Sequence, residues 1–376
     1  MSFRISVNGF KCFDHLELEL SGLTLFTGFN GAGKSSAIQT LLLVSQSLRI
    51  APNGDRIDLD GPLLHLGTAL DVARSESQGR IAVAFEEDGV QANWSLTAER
   101  RVRYLTIEQA TFSADGEAVH TTCVAAPVSH AASILCQKVS GLTFLGASRL
   151  FSNTAWPSPP ITTPFGDVGK SGEFAPYWHF QIADEEVPDE RRHPGEERTT
   201  VRGQVDAYLS QLFPGAMANT DQLVGSDLIR LDLALGSSGW VRPGNIGFGL
   251  TYAFPLIVAM LAARPGQLVI VDSPEAHLHP RAQSELGKIV SRFAAAGVRI
   301  LVETHSDHFL NGVRLAIKQR TLTPSQAAIY FFGGSSKQGH GVQKLNIDNS
   351  GEIDRWPPGF FDQAESDLGH LLGLMG

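Results

Sequence analysis

Gly28-Phe29-Asn30-Gly31-Ala32-Gly33-Lys34-Ser35 decides how this chain is read. The segment has the form GxxxxGKS and lies between an apolar run, Leu23 to Phe26, and an apolar helical stretch over residues 35–49. Strand, glycine-rich turn and helix in that order make a phosphate cradle. The glycines let successive amides converge on phosphate oxygens, and the helix adds the positive end of its dipole. In such a loop Asn30, Gly31, Ala32, Gly33, Lys34, Ser35 and Ser36 surround the phosphates. Lys34 is expected to reach the β- and γ-phosphates and Ser35 to hold Mg²⁺. A nucleoside triphosphate with Mg²⁺ is the expected ligand.

The rest of the composition is compatible with that loop. At 376 residues, the chain suffices for one large α/β domain with an insertion or for two modest domains. An apolar fraction of 43% and a charged fraction of 18% suit a folded protein with a sizeable core. Acidic residues outnumber basic ones, 39 to 30, so the net charge of -9 does not support a surface that coats nucleic acid. DNA contact would need a local basic strip, and the only clusters are Arg100-Arg101-Val102-Arg103 and Arg314, Lys318 and Arg320, residues that are usually just solvated. Cys12, Cys123 and Cys136 are scattered without metal spacing, which points to a reducing compartment. The opening MSFRISVNGF enters a strand without an apolar signal core, and Phe254 to Ala263 is too short to span a bilayer. A cytoplasmic location with no membrane partner is expected.

Outward from the loop, Phe3 to Val7, Leu16 to Leu20 and Leu23 to Thr27 read as strands, and residues 50–62 as a Pro/Gly/Asp-rich connection. Period-two runs between Arg80 and Val124 predict antiparallel strands. The expected division is an N-terminal lobe (1–62), an antiparallel β subdomain (63–135), an inserted helical and loop region (136–240), a C-terminal lobe (241–335) and a short C-terminal domain (336–376). Within the insertion, ADEEVPDERRHPGEERTT (183–200) reads as a mobile solvated loop or a docking surface. Residues Val201 to Phe213 are expected to be helical and Asp227 to Leu235 to form a strand.

Leu268-Val269-Ile270-Val271-Asp272 is a buried strand ending in a carboxylate, the pattern that sets an acid beside the nucleotide's Mg²⁺. It lies about 240 residues beyond Lys34, so the material between is insertion. A helix from Pro280 to Ala295 and a second apolar strand, Val298 to Val302, lead into Glu303-Thr304-His305-Ser306. His305 is thus placed at the carboxyl end of a parallel strand, where α/β sheets collect ligand groups. Gly244, Gly247 and Gly249 precede the helix Leu250 to Ala263 and make a second anion-binding helix entry, or a close-packed one.

Taken together, the phosphate loop, Asp272-Ser273-Pro274-Glu275-Ala276-His277-Leu278-His279-Pro280 and Glu303-Thr304-His305-Ser306-Asp307-His308 resemble the ABC-type ATPases of the SMC, RecF and OLD group. The resemblance is closest to AAA-annotated bacterial OLD-like ATPases that end in a short domain of unknown function rather than a nuclease. Leu145 to Arg149, Asn245 to Thr251, Glu275 to Gln283, Thr304 to Asn311 and Trp356-Pro357-Pro358-Gly359-Phe360-Phe361-Asp362 carry it. It implies an α/β ATPase head with a mixed central sheet, an inserted antiparallel β subdomain and a helical signature subdomain. It also implies an ATP-dependent homodimer in which one protomer gives the phosphate loop and Asp272. The other would give a signature loop in which Asn245, Gly247, Gly249 and Thr251 face the γ-phosphate, with His305 as the histidine switch. A separate effector protein, in anti-phage defence or DNA maintenance, is the implied partner.

One position departs from that pattern. Many relatives carry a glutamate directly after the Mg²⁺ carboxylate to polarise water, and here it is Ser273, so Glu275 is the expected substitute base. Turnover is then expected to be slow or partner-dependent, and a non-hydrolysing ATP-held scaffold stays open as an alternative. A DNA-end-sensing ATPase is a further one. His277 and His279 fit the dimer-contacting D-loop better than a zinc site. The tail carboxylates Asp348, Glu352, Asp354, Asp362, Glu365 and Asp367 do not imply a nuclease. Trp356, Phe360 and Phe361 are read as core or interface anchors, and Arg149 as a contact of nucleotide or carboxylate.

Overall fold

β1 (Phe3–Phe10) and β2 (Phe13–Leu20) alternate buried apolar and outward polar side chains, the pattern of a half-covered antiparallel pair. They pair from Phe3 opposite Leu20 to Phe10 opposite Phe13. β3 (Leu23–Gly28) is different in kind, because Leu23 to Thr27 are all buried. Such a strand belongs inside a sheet covered on both faces. The computed structural model describes residues 3–128, 130–149, 153–237, 239–336, 339–361, 367–368 and 370–372.

After α1 (Lys34–Ile50) come β4 (Arg56–Asp58), the single turn α2 (Ala69–Val72), β5 (Arg80–Glu87), β6 (Val90–Thr97), β7 (Tyr104–Ala114) and β8 (Glu117–Thr121). These strands join β1 and β2 in one antiparallel sheet of order β2-β1-β5-β6-β7-β4, with β8 on β7. The antiparallel sheet therefore extends beyond residues 63–135. An isolated β1–β2 hairpin would be marginal in water, and β5 completes it by pairing along β1. Part of the stretch read as connection, residues 50–62, is β4, which pairs with β7.

α3 (Ala132–Ser140) and β9 (Thr143–Leu145) lead into an insertion that holds more strand than its helical reading suggests. Besides α4 (Ala175–Gln181) and α5 (Val201–Leu212), it contains β10 (Trp156–Pro157), β11 (Ala216–Gln222) and β12 (Leu228–Leu235), a small sheet of order β10-β12-β11. The charged stretch 183–200 is tied down rather than mobile, because its charges pair at home. Arg198 donates to Glu196 and to Asp206 of α5 (3.1 Å), Gln204 donates to the Arg198 carbonyl (2.6 Å), and buried Arg191 donates to the Ala263 carbonyl.

The last third supplies α6 (Phe248–Ala262), β13 (Leu268–Asp272), α7 (Pro280–Ala295), β14 (Arg299–Glu303), α8 (Asp307–Lys318), β15 (Ala327–Ser336) and β16 (Gly339–Leu345). A six-stranded sheet results, of order β16-β15-β3-β14-β13-β9, parallel throughout except for β16. Its strands send alternate residues into two cores. Val269, Val271, Ile300 and Val302 face the helices α4 to α8, while Leu268, Ile270 and Leu301 face α1, α3 and the antiparallel sheet. α6 is buried almost all round and forms the centre of the helical side. No helix among the described residues is long and apolar enough to cross a membrane.

α7 and α8 approach so closely that glycine is required at the crossing. A Cβ at Gly287 would lie 2.3 Å from the Phe309 carbonyl oxygen, and one at Gly312 would lie 2.1 Å from that of Ser284. Gly312→Ala is expected to destabilise the protein by about 1–3 kcal/mol through overpacking, whereas Gly239→Ala, where a Cβ meets nothing, should stay within about 0.5 kcal/mol. Urea denaturation of the two variants checks this, and equal stability would mean that the helices can separate freely.

Candidate nucleotide site

The parallel sheet brings three strand ends together. β14 lies between β3 and β13, with Glu303 in register with Phe26 on one side and Asp272 on the other. From these ends emerge the GxxxxGKS loop, the segment Asp272 to Pro280 and the segment Glu303 to Ser306. This is the carboxyl edge at which α/β sheets bind ligands.

Glycine is obligatory at two points of the loop. Gly28 has φ 126° and a Cβ there would sit 2.2 Å from the Phe332 carbonyl oxygen; Gly33 has φ 107°, with Phe13 and Cys12 within 3 Å of a Cβ. α1 then starts with neither a side-chain cap nor an acid in its first turn, which leaves its amides to an anion. Lys34, 3% exposed, donates to the carbonyls of Gly28 (3.0 Å) and Phe29 (2.8 Å). Burial lowers its pKa, against the pull of Glu303 and Asp272.

Ser35 Oγ donates to both carboxylate oxygens of Glu303, at 3.1 and 3.0 Å. Glu303 is buried, 4.0 Å from Lys34 Nζ, and its pKa is pushed up to about 7, first by burial and then by Asp272. Asp272, Glu303 and Ser35 line a cavity of about 270 Å³ with Gln39, Ser148 and Lys170. An all-oxygen donor set of one hydroxyl and two carboxylates suits a hard cation such as Mg²⁺. Glu303 was not among the residues read from sequence as site groups. The available signal was an acid closing an otherwise apolar buried strand.

Ser273 stands at φ 50°, donates its amide to the Glu303 carbonyl (2.8 Å) and its hydroxyl to Asp272 Oδ1 (2.9 Å). Glu275 turns toward the β14 end: its carboxylate accepts the His305 amide (2.7 Å) and the Thr304 hydroxyl (2.9 Å). Glu275 and His305 are thus brought together. The His305 ring is exposed, and its pKa is lowered by partial burial and by the Lys34 charge. His277 packs against Tyr252 (4.6 Å between rings), and His279 caps α7 by accepting from the Arg281 amide. Arg149, read as a contact of nucleotide or carboxylate, is fully buried and donates to main-chain carbonyls, Gly146 (2.9 Å) and Asp272 (2.5 Å).

The second helix entry abuts the segment after Asp272: a Cβ at Gly249 would lie 2.9 Å from the His277 carbonyl oxygen. Asn245, Gly247 and Phe248 are exposed and α6 carries no side-chain cap. Thr251 is buried, with its hydroxyl on the Phe248 carbonyl (2.8 Å).

Comparison with known proteins follows the same outline. Family models match residues 4–117 (AAA domain), 149–311 (AAA domain, putative AbiEii toxin, Type IV TA system) and 322–371 (protein of unknown function, DUF3696). Two solved structures share the fold at a TM-score of 0.53 and 12% identity. One is the SmcHead bound to the C-winged helix domain of ScpA, covering 92% of this chain and 98% of that one. The other is the Smc head domain with an extended coiled coil bound to the C-terminal domain of ScpA, derived from Pyrococcus furiosus, covering 98% of each. No curated protein matches the chain. These matches make the chain similar to AAA-domain ATPases, with a DUF3696 match after them, on the α/β fold of an ABC-type SMC head.

In this chain the DUF3696 match reaches back to the GxxxxGKS loop. Phe360 is buried against Phe331, which meets Phe29 of the loop edge-on. Gly359, at φ 83°, lies so close to Phe29 that a Cβ would be 2.2 Å from its ring. Arg314 of α8, from one of the two basic clusters, donates to the Gly351 carbonyl (2.7 Å) and lies over the Trp356 ring. Asp348 and Asp354 accept amides of their own turn, from Ser350, Glu352 and Asn346. Asp362 and Glu365 lie outside the described residues.

The raised pKa of Glu303 has a testable sign. Between pH 4.5 and 7 the folded protein keeps a proton that the unfolded chain releases, so stability falls as pH rises through this window. In EDTA without nucleotide, Glu303→Gln should raise stability at pH 8 by up to about 3 kcal/mol and by little at pH 4.5. Urea denaturation at both pH values reads this, and a pH-independent gain would place the titration elsewhere.

Proposed function

We propose that this chain is a Mg²⁺-dependent ATP-hydrolysing switch that works as a homodimer and controls a separate effector protein in anti-phage defence or DNA maintenance. The observation that carries the reading is the pair of uncapped helix entries on one chain. α1 opens at the phosphate loop, and α6 opens at exposed Asn245, Gly247 and Phe248, beside the D-loop. Two anion-facing entries on separate elements are what a composite site requires, each ATP held between the phosphate loop of one protomer and the α6 entry of its partner. That ScpA domains are seated on the similar Smc heads supports a protein partner here.

Within such a site Lys34 exchanges the carbonyls of Gly28 and Phe29 for phosphate oxygens. Ser35 and Asp272 would hold Mg²⁺, which when bound offsets the charge on the phosphate oxygens. Glu275 takes the proton of the attacking water, and its bond to the His305 amide fixes the histidine switch relative to that base. Closing the dimer requires differential binding of ATP to the closed state, and hydrolysis removes it. The D-loop makes the coupling physical, since its His277 touches both Tyr252 and Phe248 of α6.

One observation favours a second reading. Ser273 cannot act as a base near neutral pH, and its hydroxyl is spent on Asp272 (2.9 Å). An ATP-held assembly scaffold that does not turn over is the alternative. ATP hydrolysis per protomer should rise with protein concentration in the parent, disappear in Lys34→Ala and fall by about 10²–10⁴ in Glu275→Gln. Hydrolysis independent of concentration would refute the composite site. No turnover in the parent, with ATP binding that Lys34→Ala removes, would favour the scaffold.

A further inference from the structure

Position 273 lacks an acid, yet the site does not lack a second carboxylate. Glu303 ends the central strand β14, level with Asp272 on β13, and its two oxygens lie 3.1 and 3.0 Å from Ser35 Oγ, the hydroxyl that the loop offers to a cation. The carboxylate also lines the cavity that Ser35 and Asp272 share. A buried carboxylate at this position is costly to the fold. Lys34, at 4.0 Å, is its only cationic neighbour within ion-pair distance among the described residues. An apolar or amide side chain would pack the strand end at lower cost, and the presence of an acid there instead suits a cation entering the site.

We propose that Glu303 is the second carboxylate of the cation site, joining Ser35 and Asp272 in holding the Mg²⁺ that accompanies the nucleotide. Three strands then contribute: β3 through the loop hydroxyl, β13 through Asp272 and β14 through Glu303. The hydroxyl of Ser35, which donates to Glu303, would offer its oxygen lone pair to the cation, and the Glu303 carboxylate would supply the negative charge beside it. Position 303 thereby restores the negative charge that Ser273 removes from the neighbouring strand, although from a different direction. Glu275 is turned away from Ser35, since its two oxygens accept from Thr304 and His305, and each oxygen keeps a second lone pair with which to accept from water.

The inference rests on the nucleotide-binding reading, and the test separates the two. Mn²⁺ replaces Mg²⁺ and its free fraction is followed by electron paramagnetic resonance, in the presence of a non-hydrolysable ATP analogue. Binding of a fluorescent ATP analogue in EDTA is measured in parallel. Glu303→Gln should weaken Mn²⁺ binding to the protein–nucleotide complex at least tenfold while leaving metal-free nucleotide binding within twofold, and Glu303→Asp should recover part of the loss. Equal Mn²⁺ affinity in the parent and Glu303→Gln, with nucleotide bound in both, would overturn the proposal and leave the nucleotide site standing. If the parent binds neither nucleotide nor Mn²⁺, the underlying reading fails and this inference falls with it. Thermal melts identify a misfolded Gln variant, in which case the Asp variant decides: undiminished Mn²⁺ affinity there, with the carboxylate withdrawn by one methylene, counts against the proposal.

Discussion

The structure depends on the parallel pairing of β14 between β3 and β13. Hydrogen bonds run from Ile300 to Glu303 on one side and from Leu268 to Asp272 on the other, and they bring to one level residues that are far apart in sequence. Ser35, Asp272 and Glu303 meet only because these strands end together. Parallel strands require long crossovers, and this chain uses the one from β3 to β9 to house β4 to β8 of the antiparallel sheet, and the one from β9 to β13 to house the small sheet and helices α4 to α6. The insertion therefore does not interrupt the site; it fills the space that the topology already demands.

Burial sets the chemistry at that level. Lys34 and Glu303 are both nearly inaccessible, and both are shifted toward their neutral forms because burial outweighs their mutual attraction at 4.0 Å. Arg149 reinforces the same point from beneath, binding the Asp272 carbonyl and so fixing the end of β13 by its main chain. A buried cation and a buried carboxylate side by side suit an incoming anion and cation, which is what the proposed nucleotide and its metal would bring.

Much of this was legible in the sequence. The strand–loop–helix around Lys34 and the apolar strands ending in Asp272 and Glu303 follow from local pattern, and Pro280 marks the start of α7 through its fixed φ. What escaped depends on partners distant in sequence. The sequence showed β1 and β2 as strands, but only the pairing of Phe3 with Glu87 shows that they belong to the same sheet as β5. The charged stretch 183–200 has the composition of a mobile loop, and it is ordered because Arg191, Arg198 and Gln204 find acceptors on α5, within the stretch and at the end of α6. Glu303 carried a local signal, a charge after a buried apolar run, but its role depends on a serine 268 positions away. Glu275 and Arg149 show the converse: their types were noticed, while the carbonyls, amides and hydroxyl they engage could not be inferred from spacing.

The contact of Gly359 with Phe29 has a consequence for how such chains can be assembled from parts. Two family models divide the sequence between residues 311 and 322, yet the segment beyond that boundary closes over the first aromatic ring of the phosphate loop and holds Arg314 of α8. The C-terminal region is consequently not an exchangeable cassette. A substitute drawn from another lineage would have to bring a glycine that tolerates a ring against its Cα, or the recipient would have to surrender Phe29. Heredity must treat the two ends of this chain as one unit.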